Sequence, residues 1–147
     1  MFKNIIIVLG ILFVLFVSYS FYTSNKGPEM MTLNLFIQNK EIARTRDCAV
    51  TQMITVEVPK TLAVADVSVR ILFEDELAQY GKYKNATLEN GVAKVYLEST
   101  TTLNGKPLIS LSSCEIGHIQ SVLRDTLTQY ETIKSVELYS PRGRVEF

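Results

Sequence analysis

Short stretches in which polar and apolar residues alternate predict strands near both ends of the chain. Residues 32–37 begin with alternation and become wholly apolar, and residues 48–58 form a second run that stops at Pro59. Between them, residues 39–47 are rich in charges of both signs, which is typical of a solvated loop or hairpin tip. The chain should therefore open with two strands joined by a charged connection.

Two longer stretches carry apolar residues at steps of three and four, which predicts two amphipathic helices. The first should begin near Asp66 as N-cap and end at Gly81. The second should begin at Ser112, because Glu115 three residues later completes a capping box, and should end before Thr132. The expected core faces are Val69, Leu72, Phe73, Leu77 and Tyr80 on the first helix, and Ile116, Ile119, Leu123, Leu127 and Tyr130 on the second.

The pair Asn90-Gly91 is the strongest local signal in the chain. Both residue types tolerate the positive φ angles of a two-residue turn, and alternating stretches flank the pair, so residues 86–97 should form a β-hairpin. Residues 135–139 predict a further strand, and a turn at residues 140–144 leads into a short one at 145–147. The expected fold is α+β, with the order β-β-α-β-β-α-β-β, one mixed sheet and two helices packed on it.

The N-terminal segment has a different hydrophobic pattern, because residues 5–17 are apolar throughout except for Gly10. Residues 1–24 are therefore expected to be a transmembrane anchor, with Lys3 favouring a cytoplasmic N-terminus and an outward-facing domain. The alternative is a signal segment cleaved after secretion, since Ser18 and Ser20 supply small residues of the type that signal peptidase reads. Residues 25–29 form a linker, and residues 30–147 form the domain.

Composition narrows the function classes further. The chain has 147 residues, 47% of them hydrophobic, and its 15 basic and 15 acidic side chains give a formal net charge of zero. A nucleic-acid-binding domain needs a basic patch or stripe, so nucleic acid is not an expected partner. The hydrophobic content outside the anchor still suffices for a core, which argues against disorder.

Cys48, Cys114 and His118 are the main candidates for a disulfide or a catalytic site. An even number of cysteines in an extracytoplasmic domain favours a disulfide between Cys48 and Cys114, with two free buried thiols as the alternative. A third interpretation is a thiol-dependent hydrolase or transferase, because Cys114 and His118 are four residues apart at the start of a helix. We expect the chain not to be an enzyme.

Metal and cofactor motifs are missing from the sequence. No CxxC, HExxH, GxGxxG or P-loop pattern occurs, so no cofactor and no metal is expected. The acidic run Glu74-Asp75-Glu76 does not predict an ion site, because consecutive helical residues point about 100° apart and cannot converge on one cation. These three carboxylates are expected to form a solvated face.

Three segments together resemble the GerMN domain of sporulation and spore-germination proteins. They are residues 90–98 (NGVAKVYLE), residues 126–130 (TLTQY) and residues 133–138 (IKSVEL). The similarity extends over residues 30–147. The chain departs from the family where Tyr96 replaces a usual Asp, and it lacks the lipid-modified cysteine of many members.

The resemblance implies a non-catalytic module of the bacterial envelope, with a role in cell-wall processes such as sporulation or germination, or in assembly of an envelope complex. The partners it implies are an envelope protein or peptidoglycan, with self-association as a further expectation. Edge strands and the mixed-charge residues 41–47 are the expected contact regions.

Overall fold

In the computed structural model, which describes residues 27–43 and 48–145, the first two strands form a separate two-stranded ribbon. Strand β1 (Met30–Gln38) leads into a one-turn helix α1 (Lys40–Ala43), and strand β2 is Thr51–Pro59. The Asn39 side chain accepts bonds from the backbone N–H groups of Glu41 (3.2 Å) and Ile42 (3.3 Å), which starts this short helix. The backbone N–H of Asn39 donates to the Val50 carbonyl at 2.9 Å, so the end of β1 lies beside the start of β2.

A mixed four-stranded sheet, in the order β3-β4-β5-β6, forms the second layer. Strands β3 (Tyr83–Glu89) and β4 (Val92–Leu97) are antiparallel, and β5 (Ser135–Ser140) runs parallel to β4. Strand β6 (Gly143–Arg144) returns antiparallel to β5. Because β4 and β5 are parallel, they require a long crossover connection, and a helix supplies it.

Two helices pack against these strands. Helix α2 (Val64–Glu74) is followed by a 3₁₀ turn at Ala78–Tyr80 and contacts β3. Helix α3 (Ser113–Thr128) follows a second 3₁₀ turn at Leu108–Ser110, contacts β5 and crosses from β4 to β5. The described part of the chain is therefore an α+β domain with three α-helices.

The core lies between the helices, the mixed sheet and the ribbon. Most of the expected helix faces are buried, since Val69, Leu72 and Leu77 are at most 1% exposed and Ile119, Leu123 and Leu127 are too. Ile116 and Tyr130, which were also expected in the core, are only partly buried. The ribbon and sheet complete the core with Leu33, Leu35, Val58, Ala93, Val95, Leu97 and Leu138. Burial of this apolar surface is the main stabilising contribution.

Two local predictions are confirmed in detail. Asn90 and Gly91 take φ angles of 51° and 82°, as a type I′ hairpin turn requires. At the start of α3, the Ser112 hydroxyl accepts the Glu115 N–H while the Glu115 carboxylate accepts the Ser112 N–H. Both features depend on residues at most three positions apart in sequence, which explains why the sequence pattern predicts them.

The predicted single sheet and element order are wrong. The observed order is β-α-β-α-β-β-α-β-β, because α1 interrupts the charged connection and the ribbon stays separate from the sheet. Side chains cover the other edge of β1: Thr126 Oγ1 accepts the Phe36 N–H (2.9 Å), and Glu76 Oε1 accepts the Gln38 N–H (3.1 Å). Side chains therefore satisfy these two donors, and none of the other described strands pairs with this edge of β1.

The predicted bounds of the first helix are wrong as well. The N-cap is Ala63 and the helix ends at Glu74, before Gly81. Asp66 lies in the first turn, where its carboxylate accepts the Tyr83 hydroxyl proton and, at 3.4 Å, the Ala86 N–H. Burial, followed by this hydrogen bond, raises the pKa of Tyr83 well above its usual range, so the phenol stays a donor. Asp66 therefore links α2 to β3.

Four predictions fall wholly or partly outside the described residues. These are the anchor at 1–24, residues 25–26 of the linker, residues 44–47 of the charged connection, and residues 146–147 of the terminal strand. Within the described residues, no helix combines the length and hydrophobicity required to cross a membrane.

Candidate functional site

A concave cleft lies between α3 and β5. Gln120, Arg124 and Thr128 are spaced four residues apart, so they share one face of α3. The cleft has a volume of about 540 Å³ and is lined by Gln120, Leu123, Arg124, Thr128, Lys134, Ser135, Val136 and Leu138. Its apolar base includes Leu123 and Leu138, which are 1% and 2% exposed.

The charged groups of this cleft are both cations. Arg124 Nε donates to Asp125 Oδ1 at 2.9 Å, and Asp125 Oδ2 accepts the Thr51 hydroxyl at 2.7 Å, so the arginine is fixed through β2. Among the described residues, no other group bonds to the Arg124 guanidinium. Its terminal amino groups can therefore hold a ligand in the planar, two-bond geometry that suits a carboxylate.

Lys134, the residue before β5, supplies the second cation. Its backbone N–H donates to the Gly91 carbonyl at 2.7 Å, and its Cγ lies 3.2 Å from the position that a Cβ on Gly91 would occupy. Within residues 27–43 and 48–145, no acidic side chain pairs with its ammonium group. Gly91 therefore serves both the hairpin turn and the placement of Lys134 beside the cleft.

The arrangement favours recognition of an anionic, partly apolar ligand. The described lining contains Arg124 and Lys134 but no carboxylate, while Gln120 and Ser135 add neutral hydrogen-bonding groups. Over the described residues, no cluster of three or more His, Cys, Asp or Glu side chains could hold a metal ion. Two cations, neutral hydrogen-bonding groups and an apolar base together have the composition of a binding site.

Cys48 and Cys114, the pair expected from the sequence, form a disulfide with their Cα atoms 5.3 Å apart. Cys114 lies in the first turn of α3, and Cys48 lies in the connection that precedes β2. No free thiol occurs among the described residues. A nucleophilic thiolate at Cys114 would first require reduction of this bond.

His118, which the thiol-dependent interpretation paired with Cys114, hydrogen-bonds to Glu76 and Tyr80. Its Nε2 lies 2.8 Å from Glu76 Oε1, and its Nδ1 lies 3.2 Å from the Tyr80 hydroxyl. The Glu76 and His118 side chains are only 11% and 7% exposed. Burial, followed by the charge of Glu115, raises the pKa of Tyr80, which keeps its phenol protonated. These three residues form a buried hydrogen-bonded network that joins α3 to the segment after α2.

The network corrects the prediction of a solvated acidic run. Glu74 and Asp75 are exposed, whereas Glu76 turns inward to His118 and to the Gln38 N–H. The reason is that α2 ends at Glu74, so Glu76 no longer follows the helical direction of its neighbours. Periodicity extended over residues 66–80 could not show this change.

The cleft residues were missed in the sequence for a different reason. Gln120, Arg124 and Thr128 do form a polar stripe at helical spacing, but such a stripe on an amphipathic helix normally marks a solvated face. Lys134 enters the site only through the return of the chain along β5. The expected contact region at residues 41–47 is described only up to Ala43, where Glu41 and Ile42 are exposed.

No family model matches the chain, and comparison with curated proteins and with solved structures finds no match either. The similarity to GerMN domains therefore rests on the three segments quoted above.

Proposed function

We propose that this protein is a non-catalytic binding module of the bacterial envelope, held at the membrane by residues 1–24 with residues 30–147 facing outward. The observation that carries the proposal is the α3–β5 cleft, which presents Arg124 and Lys134 above an apolar base. The Cys48–Cys114 disulfide supports the outward location, because such bonds persist in oxidising compartments. The GerMN resemblance supports a role in cell-wall processes.

The proposed ligand is peptidoglycan, recognised through carboxylates of its peptides. Arg124 would hold a carboxylate with two bonds, Lys134 would add a point charge, and Val136, a half-buried residue of the lining, would contact adjacent apolar groups. Because both cations are solvent-accessible, each bond is worth little by itself, and binding to a repetitive polymer would gain strength from repeated contacts.

Sedimentation of the full-length protein with purified cell-wall sacculi tests the proposal. The double variant Arg124→Gln/Lys134→Gln should lose binding by about tenfold or more, as expected when two charge-assisted contacts are removed. Arg70→Gln/Lys82→Gln is the matched control, since both residues are exposed cations outside the cleft and the net charge changes equally. Binding of the unmodified protein should also weaken as salt rises.

Two outcomes would contradict this function. If the unmodified chain does not sediment with sacculi, the wall polymer is not its ligand. If the cleft and control variants bind equally, the wall is bound elsewhere on the protein. Circular dichroism of both variants would show that the comparison is between folded proteins.

A further inference from the structure

Two exposed leucines line one groove at one end of the domain. Leu62, in the loop between β2 and α2, is fully exposed, and Leu88, near the end of β3, is 51% exposed. Both line a shallow, mainly apolar groove of about 200 Å³, together with Ala93, Leu127 and Ile133. We call this region the leucine end. Large aliphatic side chains exposed together around an apolar groove are typical of a contact surface.

The leucine end lies where the domain begins. The backbone N–H of Thr61 donates to Met31 Sδ at 3.5 Å, which places the Leu62 loop against the start of β1. Leu127, at the C-terminal end of α3, lines the same groove. The Cys48–Cys114 disulfide is at the other end of α3, and thirteen residues of helix between Cys114 and Leu127 correspond to about 20 Å.

The linker limits how far this end can be from the membrane. Residues 25–29 separate the proposed anchor from β1, and five extended residues span at most about 18 Å. If the chain is anchored, the bilayer is therefore the nearest apolar environment for Leu62 and Leu88. The tether keeps the local concentration of the leucines at the lipid surface high, so even a weak insertion would be occupied.

We propose that Leu62 and Leu88 insert into the interfacial region of the bilayer that holds the N-terminal anchor. This inference rests on the proposed membrane tether and adds a defined orientation to it. The leucine end faces the lipid, and the disulfide end of α3 points away from the membrane. Aliphatic side chains inserted to the depth of the headgroup and acyl boundary are the usual means by which a surface lies on a bilayer.

The absence of tryptophan from the chain makes the test direct. The variants Leu62→Trp and Leu88→Trp each introduce a single reporter into the full-length protein. Ile109→Trp is the matched control, because Ile109 is 88% exposed in the 3₁₀ turn before α3, at the disulfide end. Each variant is reconstituted into phosphatidylcholine vesicles with or without brominated acyl chains, and flotation measures membrane attachment.

We expect all three variants to float, and the emission of the L62W and L88W proteins to be about twofold lower in brominated vesicles, with I109W unchanged. Equal emission of L62W, L88W and I109W in floating protein would overturn the inference and leave the tether standing. A chain that does not float would overturn both. A third outcome is a blue shift of L62W emission that grows with protein concentration and is not accompanied by bromine quenching. It would assign the groove to a second copy of the chain and overturn lipid contact.

Discussion

At the scale of single residues, Glu115 shows how one side chain can stabilise both a helix end and a loop. Its carboxylate accepts bonds from Lys106 Nζ (2.7 Å), from the Ser112 N–H (2.6 Å) and from the Ser112 hydroxyl (2.7 Å). The bond from Lys106, followed by those from Ser112, lowers the pKa of Glu115 from 4.5 to about 2. The charged form is therefore favoured by folding.

The expected consequence is a loss of stability in acid. Because the folded pKa is the lower one, the contribution of Glu115 is complete above pH 4.5 and is lost as the pH falls towards about 2. Urea unfolding measured across this window should show a smaller decline for Glu115→Gln, whose side chain cannot ionise. Glu131→Gln, an exposed glutamate outside this cluster, is the control. Parallel declines in both variants and the unmodified protein would refute the assignment.

At the scale of elements, a side chain at Gly91 should destabilise the β3–β4 turn. Its φ of +82° disfavours other residues, and an added Cβ would approach Lys134 Cγ to 3.2 Å. Gly91→Ala should therefore lower the free energy of unfolding by about 1–2 kcal/mol. Gly105→Ala is the matched control for backbone strain, since Gly105 has a φ of +77° with open space around it. Equal urea midpoints for the two variants would show that contact with Lys134 contributes nothing.

The turn and the ribbon also show what a sequence can reveal about elements. The Asn90-Gly91 turn and the Ser112 capping box were predictable because each depends on residues a few positions apart. The separate ribbon was not, because the edge of β1 is satisfied by Thr126, 90 residues away from Phe36. The cleft escaped prediction in the same way, since Arg124 and Lys134 become neighbours only when β5 packs beside α3.

At the scale of the whole molecule, the Cys48–Cys114 disulfide joins the ribbon connection to α3 across 66 residues of sequence. Closing a loop of that length restricts the unfolded chain, and the chain-entropy model assigns about 4 kcal/mol to it, within a measured range of about 2–4 kcal/mol for typical bonds. In the part of the chain that the structure describes, the ribbon and the four-stranded sheet are separate sheets, so the bond adds a covalent link between the ribbon connection and α3. Side-chain contacts and the core must otherwise hold the two layers together.

We therefore expect reduction to lower the free energy of urea unfolding by about 2–4 kcal/mol, and the variant Cys48→Ser/Cys114→Ser to match the reduced protein. The double variant should not respond to reductant, which separates the bond from other effects of the reagent. An unchanged urea midpoint after reduction, with both thiols verified by mass spectrometry, would contradict the stabilising role. After reduction, loss of structure should begin at the ribbon. Hydrogen exchange of the ribbon amides should therefore rise before exchange in the β4–β5 pair, which lies in the interior of the mixed sheet.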